Sequence, residues 1–391
     1  MTALEQGRRG LALVAGLAIT ETVSWGILYY AFAIFLTPIK EARGWSTLEL
    51  TGAFSLALAV SALAAPAVGR WLDTHSPRAL MTAGAALGAA LVFAWSRVET
   101  LVELYLVFAG IGLAMATVLY EPAFVVLTKW FRARRAQAIT AVTLVAGAAS
   151  FIFSPLSERL IAAYNWREAL VILALILAVA TVPVHALVLP PARPTLEEPV
   201  DERESGRGHE FWLLASTFVI GGFLVAAISV HLVPLLLAAG HGSAFAAGIA
   251  GLVGLAQIPG RLVFLALRPR LDGPRLPATV FCLAAVALAL LAVDRSTAAA
   301  VSFAMLFGAG AGMTTLLRPA LVAELYGRAR FGANLGATAI LALSARAVAP
   351  FTAAALSLAP GGYSTMLWLF AAAAVLAAIA GARAVVAKPS G

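Results

Sequence analysis

Five charged side chains sit inside long apolar runs of this sequence: Glu21, Glu121, Arg261, Arg318 and Arg346. An ionisable group near the centre of a bilayer costs at least about 2.5–3.5 kcal/mol, so it normally faces a cavity or a partner. The five are segregated, with both acids in the first half of the chain and all three arginines in the second. Arginine keeps its proton in any protein environment and grips a carboxylate through two parallel hydrogen bonds. Arginines facing a cavity therefore suit an organic anion, and Arg261, Arg346 and Arg318 are the expected substrate ligands. A buried glutamate that alternates between a cation and water suits proton coupling, a role open to Glu21 and Glu121. Trp25, Tyr29 and Tyr30 follow Glu21 and are expected to line the same cavity, although packing or an interfacial belt accounts for them equally well.

Other chemistries find no footing. One cysteine, Cys282, excludes an intramolecular disulfide framework and a cysteine-based zinc site. The five histidines, His75, His185, His209, His231 and His241, never fall at metal-ligand spacing, so no metal or cofactor is expected. His185 and His231 lie in apolar runs and read as hydrogen-bonded core residues rather than switches. No phosphate-binding loop is present. Gly308, Gly310 and Gly312 lie within an apolar run, where small residues let helices approach closely.

The elements that must position these residues are membrane helices. The chain has 391 residues, of which 62% are hydrophobic and 12% charged. Its mean hydropathy is +0.94. Too little polar surface remains for a water-soluble fold, which also removes nucleic acid as an explanation of the net charge of +8. Crossing the hydrocarbon core takes about 20 apolar residues in a helix, and the continuous runs exclude an alternating barrel. Twelve spans are predicted, at 10–36, 49–70, 79–96, 101–128, 136–158, 168–189, 211–238, 245–267, 277–293, 298–323, 332–357 and 363–386. The first is too long for a signal peptide. Eighteen of the 27 Lys and Arg residues fall on the amino terminus, every second loop and the carboxyl tail, against six on the alternate loops. That bias places both termini in the cytoplasm.

Residues 190–210 carry four prolines and six acids and read as a flexible cytoplasmic linker between two six-helix bundles, 1–189 and 211–391. The bundles repeat one another. Tyr120-Glu121-Pro122-Ala123 in span 4 is matched, 197 residues later, by Leu317-Arg318-Pro319-Ala320 in span 10. Gly69-Arg70 and Gly260-Arg261 correspond, as do Pro155 and Pro350. Each charge of span 4 and span 10 precedes a proline expected to loosen its helix, and Glu121 and Arg318 are expected to pair across the pseudo-twofold. Two repeated halves suit alternating access.

Gly69, Asp73 and Arg78 resemble the anchors of the loop 2–3 signature of the major facilitator superfamily, with Thr74, Ser76 and Pro77 departing from it. Gly44-Trp45-Ser46, Lys129-Trp130-Phe131 and Asn165-Trp166-Arg167 resemble the bacterial monocarboxylate and oxalate–formate branch. The resemblance implies twelve transmembrane helices in two bundles, an inner plasma membrane location and a chain that works as a monomer. It also implies a gate in which Asp73 holds span 2 against span 11, and substrate ligands at Arg261 and Arg346. The monocarboxylate porters carry an acid one turn before that first arginine, where this chain has Gln257, and a lysine in span 1 near the place of Ala33. Proton handling then falls to Glu21 or Glu121.

The reading that follows is a secondary transporter of a small organic anion, a mono- or dicarboxylate, driven by a proton or by a counter-anion. A proton-driven exporter of drugs or cations is an alternative that the three arginines oppose. A membrane sensor or enzyme that transports nothing has no nucleophile–base spacing or output domain behind it.

Overall fold

Every ordered element of the computed structural model is a helix, among the described residues 3–131, 134–191, 208–271, 273–326 and 331–387. Side chains of residues 3–7, 73, 136, 331–333, 335 and 336 are outside the description. Fifteen α-helices and one π-helical turn make twelve spans long and apolar enough to cross a membrane. In the amino half these are α1 (Ala3–Ser24), the π-turn (Trp25–Tyr30) and α2 (Ala31–Arg43) for span 1, then α3 (Thr47–Thr74) and α4 (Pro77–Trp95) for spans 2 and 3. Span 4 is α5 (Leu101–Val118) with α6 (Tyr120–Phe131), span 5 is α7 (Arg135–Ala146) with α8 (Ala149–Ala163), and span 6 is α9 (Trp166–Val188). Spans 7 to 12 are α10 (His209–Ala238), α11 (Ser243–Leu267), α12 (Arg275–Val293), α13 (Thr297–Tyr326), α14 (Phe331–Ser357) and α15 (Gly362–Val386).

Local chemistry sets the helix ends. Ser46 with Glu49, and Thr100 with Glu103, form capping boxes that open α3 and α5. Asn165 accepts from the amides of Arg167 and Glu168 to start α9, and Gly44 stops α2 at φ 69°. These residues include two of the three tryptophan-bearing motifs noted in the sequence, so part of that pattern is capping chemistry.

The chain divides into two compact units, Met1–Glu197 and Glu198–Gly391. The expected linker falls largely at 192–207, outside the described residues. Within the first unit the main pairings join spans 2 and 4, 3 and 6, and 1 and 5. Within the second they join spans 8 and 10, 9 and 12, and 7 and 11, the same scheme six spans on. Leu63, Leu106, Val179, Leu187, Leu262 and Ile340 stay exposed, as lipid-facing positions should.

Glycine decides how closely the paired helices approach. A Cβ on Gly112 would stand 2.2 Å from the carbonyl oxygen of Ala57, between spans 4 and 2. On Gly312 it would stand 2.2 Å from that of Gln257, and on Gly308 2.3 Å from that of Val253, between spans 10 and 8. Gly310 meets nothing nearer than 3.6 Å, so Gly308 and Gly312, four apart, form the contact face. Gly312→Ala is expected to destabilise the protein by about 1–3 kcal/mol, because backbone rather than a side-chain tip must give way. Gly248→Ala, with open space around its Cβ, should leave the unfolding temperature unchanged or slightly raised. Equal unfolding temperatures for the two variants in nanodiscs would refute the contact.

Candidate functional site

The amino half departs from regular helix at three places, in spans 1, 4 and 5. In span 1 the amide of Ala31 bonds to the carbonyl of Gly26, the i→i+5 pattern of a π-turn. Such turns cluster at functional sites. It brings residues four and five beyond Trp25 around the same indole, with ring centroids at 5.2 Å for Tyr29 and 6.2 Å for Tyr30. Gly26 makes the turn compatible with span 5, since a Cβ there would lie 2.1 Å from the Phe153 ring. In span 4, Leu119 is extended (φ −83°, ψ −165°) and separates α5 from α6. Span 5 is interrupted at Gly147 and Ala148.

The break in span 4 has a simple cause. Pro122 falls in the first turn of α6, where its missing N–H has no helical partner to lose, and Glu121 beside it favours the positive end of the helix dipole. Arg318 and Pro319 occupy the equivalent place in span 10, yet α13 runs through them unbroken. The expectation that both prolines loosen their helices therefore holds only for span 4.

The first-half site residues meet. Glu21 is completely buried, and among the described residues no donor reaches either carboxyl oxygen with hydrogen-bond geometry. Trp25, one turn on, and Glu121 are the groups that act on it. Tyr120 brings span 4 into the same cluster, its ring 4.9 Å from Trp25 and stacked on Phe124 at 5.2 Å. Tyr29 is buried and packs on Phe54 at 5.5 Å. Trp25, Tyr30 and Tyr120 are half-buried and Glu121 is exposed, so the cluster has an open side. Tyr120 and Gly26 were not singled out from sequence. Tyr120 stood in the repeated Tyr-Glu-Pro-Ala motif, a usable signal, whereas nothing local marks Gly26.

In the second half, Arg261 is buried at 8% relative exposure on α11, while Arg318 and Arg346 are half-buried on α13 and α14. α11 and α13 run in the same direction, and Gln257 faces Gly312 between them. Arg261 follows Gly260, whose Cα packs against the backbone of Ala309 on α13. The stem of Arg346 packs over Gly222 of α10. One turn later Pro350 cannot donate to the carbonyl of Arg346, and its own carbonyl accepts from His231 Nε2 at 2.9 Å. His185 Nδ1 likewise bonds to the carbonyl of Met81 at 3.1 Å, so both histidines are hydrogen-bonded core residues.

Of the loop 2–3 motif, Arg78 Nε donates to the carbonyl of Leu189 at 2.7 Å, and a Cβ on Gly69 would meet nothing within 4 Å. The side chain of Asp73 is outside the described residues. Lys129, from another motif, donates to the carbonyl of Leu72 at 2.7 Å. These bonds tie spans 2, 3, 4 and 6 together on one side of the first unit.

The opposite ends of both units are clasped by equivalent residues. Glu99, between spans 3 and 4, binds Arg43 and Arg167 at 2.6 Å each, joining all three loops on that side. Arg295, 196 residues later, takes its place: Nη2 donates to Ser364 at 2.5 Å, and its carbonyl accepts from His241 Nε2 at 2.6 Å. The position is conserved in role although its charge is reversed. The hydrogen bond from Arg43, with the charges of Arg43 and Arg167, holds the Glu99 carboxyl below its ordinary value of 4.5. A lowered folded pKa contributes stability above the unfolded value, and that contribution disappears as pH falls through the folded one. Wild type should therefore lose unfolding temperature below pH 4.5 more steeply than Glu99→Gln, and the variant should start lower at pH 7. Parallel profiles for the two proteins would rule the clasp out.

Comparison with known proteins agrees with this architecture. The sequence profile described as "Major Facilitator Superfamily" matches residues 17–350. Monocarboxylate transporter 13 of Rattus norvegicus is 26% identical over 347 residues, covering 84% of this chain and 78% of that protein. Monocarboxylate transporter 11 of Homo sapiens is 29% identical over 272 residues, 66% of this chain and 56% of that one. Neither is an oxalate–formate porter, so only the monocarboxylate side of the sequence resemblance is represented here. Among solved structures, an inward-facing bacterial homologue of the human lysosomal transporter Spinster superposes with a TM-score of 0.73 at 15% identity, covering 99% of this chain and 98% of that one. A variant of the nucleoside transporter NupG gives 0.74 at 14% identity, covering 96% and 99%. At these identities the structural likeness concerns the fold.

Proposed function

This chain belongs to the Major Facilitator Superfamily, and from that premise we propose that it carries a small organic anion, a mono- or dicarboxylate, by alternating access. It is a multi-pass membrane transporter, not an enzyme. The observation that carries the anionic cargo is Arg261, a permanent cation buried within a membrane span. Arg318 on α13 and Arg346 on α14 add cationic ligands, and the names of the monocarboxylate relatives support the same class. Trp25 and Tyr29 contribute apolar walls to the site.

Coupling is to a proton or by exchange. Glu21 is the proton carrier in this reading, because its carboxyl is the one fully buried acid among the described residues of the first unit, with Glu121 as its exposed neighbour. The basic loops face the cytoplasm of a plasma membrane, with both termini on that side, and the monomer is the working unit. Bundles 1–189 and 211–391 rock about the linker 190–210, and Gly69, Asp73 and Arg78 form the gate between steps.

The test is flux into proteoliposomes with a panel of carboxylates, with and without an imposed pH gradient. Saturable carboxylate uptake or exchange is expected. Absence of any organic-acid flux, together with extrusion of cationic dyes, would replace this reading with that of a proton-driven cation exporter. The acidic and aromatic cluster of spans 1 and 4 is the feature that would favour the exporter.

A further inference from the structure

Spans 3 and 6 enclose a groove that carboxylate transport does not use. It has a volume of about 440 Å³ and lies between α4 and α9, with Ala89 and Ala174 buried at its floor and Phe93 and Leu175 exposed at its rims. Its lining is apolar, from Ala86 to Phe93 on α4 and from Val171 to Val182 on α9. We propose that this groove holds one acyl chain of a zwitterionic phospholipid, whose phosphate and ammonium are met by Arg97 and Glu168 at its mouth.

The length of the groove fits that occupant. From Val171 to Val182 it runs about 16 Å at 1.5 Å per residue. That is half of the roughly 30 Å hydrocarbon core, the reach of one acyl chain from one leaflet. Ala89, Ala90, Ala174 and Ala178 supply the depth, since longer side chains there would fill it. The mouth lies where a chain must leave the hydrocarbon. Arg167, in the first turn of α9, donates to the carbonyls of Ser96 and Val98, which places the start of α9 beside the loop after α4. Tyr164, exposed just before α9, is of a residue type enriched at headgroup depth.

Charge at the mouth selects the headgroup. The exposed Arg97 guanidinium lies over the Phe93 ring, 5.3 Å from its centroid, and is thereby held at the rim of the groove. Glu99 engages Arg43 and Arg167, whereas no ion pair engages Arg97 among the described residues. A guanidinium so placed meets a lipid phosphate through charge-assisted hydrogen bonds. Glu168, exposed in the first turn of α9, stands at the same end. Beside its carboxylate an ammonium is attracted and a second anionic charge repelled. Together the two residues select a phospholipid bearing an ammonium over one with a net negative charge.

The purified full-length protein is titrated with phosphatidylethanolamine or phosphatidylglycerol of equal chains, and bound lipid is counted by native mass spectrometry. Wild type should bind the first about fivefold more tightly, the effect of one charge near a membrane surface. Arg97→Gln should weaken both lipids about fivefold, and Glu168→Gln should bring their ratio toward one. Ala90→Leu, at an exposed position, should fill the groove and weaken both lipids without changing their ratio. Ala86→Leu, also exposed, repeats that test, and unfolding temperatures confirm that each variant is folded. Tighter binding of phosphatidylglycerol by wild type, lost in Arg97→Gln, would overturn the zwitterion and make the occupant an anionic lipid. Lipid binding unaltered by Arg97→Gln and by both leucine variants would overturn the site altogether. A dimer that Ala90→Leu dissolves would assign the groove to a second copy of the chain instead.

Discussion

Arg261→Ala should lower the catalytic efficiency of carboxylate flux by about thirtyfold to several thousandfold. Removing one partner of a buried, hydrogen-bonded charge pair costs roughly 2–5 kcal/mol, and each 1.4 kcal/mol is a factor of ten. Arg261 is the most deeply buried of the three intramembrane arginines, so a carboxylate bound to it would be the least screened by water. Arg261→Lys should recover part of the loss, since charge is kept and the two-pronged geometry is not. Arg318→Ala and Arg346→Ala, at half-buried positions, should lose less. Initial rates of substrate exchange in proteoliposomes give the comparison, with size-exclusion profiles confirming that each variant is folded. Exchange at the wild-type rate by Arg261→Ala would remove this residue from the site.

Glu21→Gln should abolish accumulation driven by a pH gradient and leave exchange of substrate for substrate within a few-fold of wild type. The amide has the shape of the protonated acid, so packing around the buried group is preserved, but it cannot release a proton. Coupling needs that release, whereas exchange returns loaded on both strokes and does not. The assay is uptake against a substrate gradient with an imposed inward proton gradient, run beside counterflow at equal pH. Accumulation by the variant equal to wild type would show that the proton travels elsewhere, with Glu121 next to be tested. Loss of both activities would instead make Glu21 a structural or binding residue.

Much of this was legible in the sequence. The predicted spans match the observed ones to within a few residues at most ends, because about twenty apolar residues are needed to cross a bilayer and charges are excluded from the runs. The largest departures are long overhangs, as where span 1 continues to Arg43 and the π-turn lies inside it. The five intramembrane charges stood out for the same energetic reason. Gly308 and Gly312 were read correctly as a helix contact, and His185 and His231 as core residues, since small size and local polarity are properties of the residue itself.

Symmetry in sequence was a weaker guide to backbone. Glu121-Pro122 and Arg318-Pro319 match in the repeat, yet one starts a new helix and the other lies within a continuous one. Both spans make a close glycine contact with their partner helix, Gly112 on Ala57 and Gly312 on Gln257, so that contact does not set them apart. The converse holds at the clasps, where Glu99 and Arg295 differ in charge and serve the same joining role, a match that residue identity conceals.

By itself the sequence determined a membrane protein of two repeated halves, its spans and its small set of costly charges, because solvent exclusion acts on each segment one at a time. Only the tertiary structure decided that Glu21, Trp25, Tyr120 and Glu121 stand together, and that a π-turn and a broken helix put them there. Those outcomes depend on contacts between spans, such as the Phe153 ring against Gly26, that no local composition encodes.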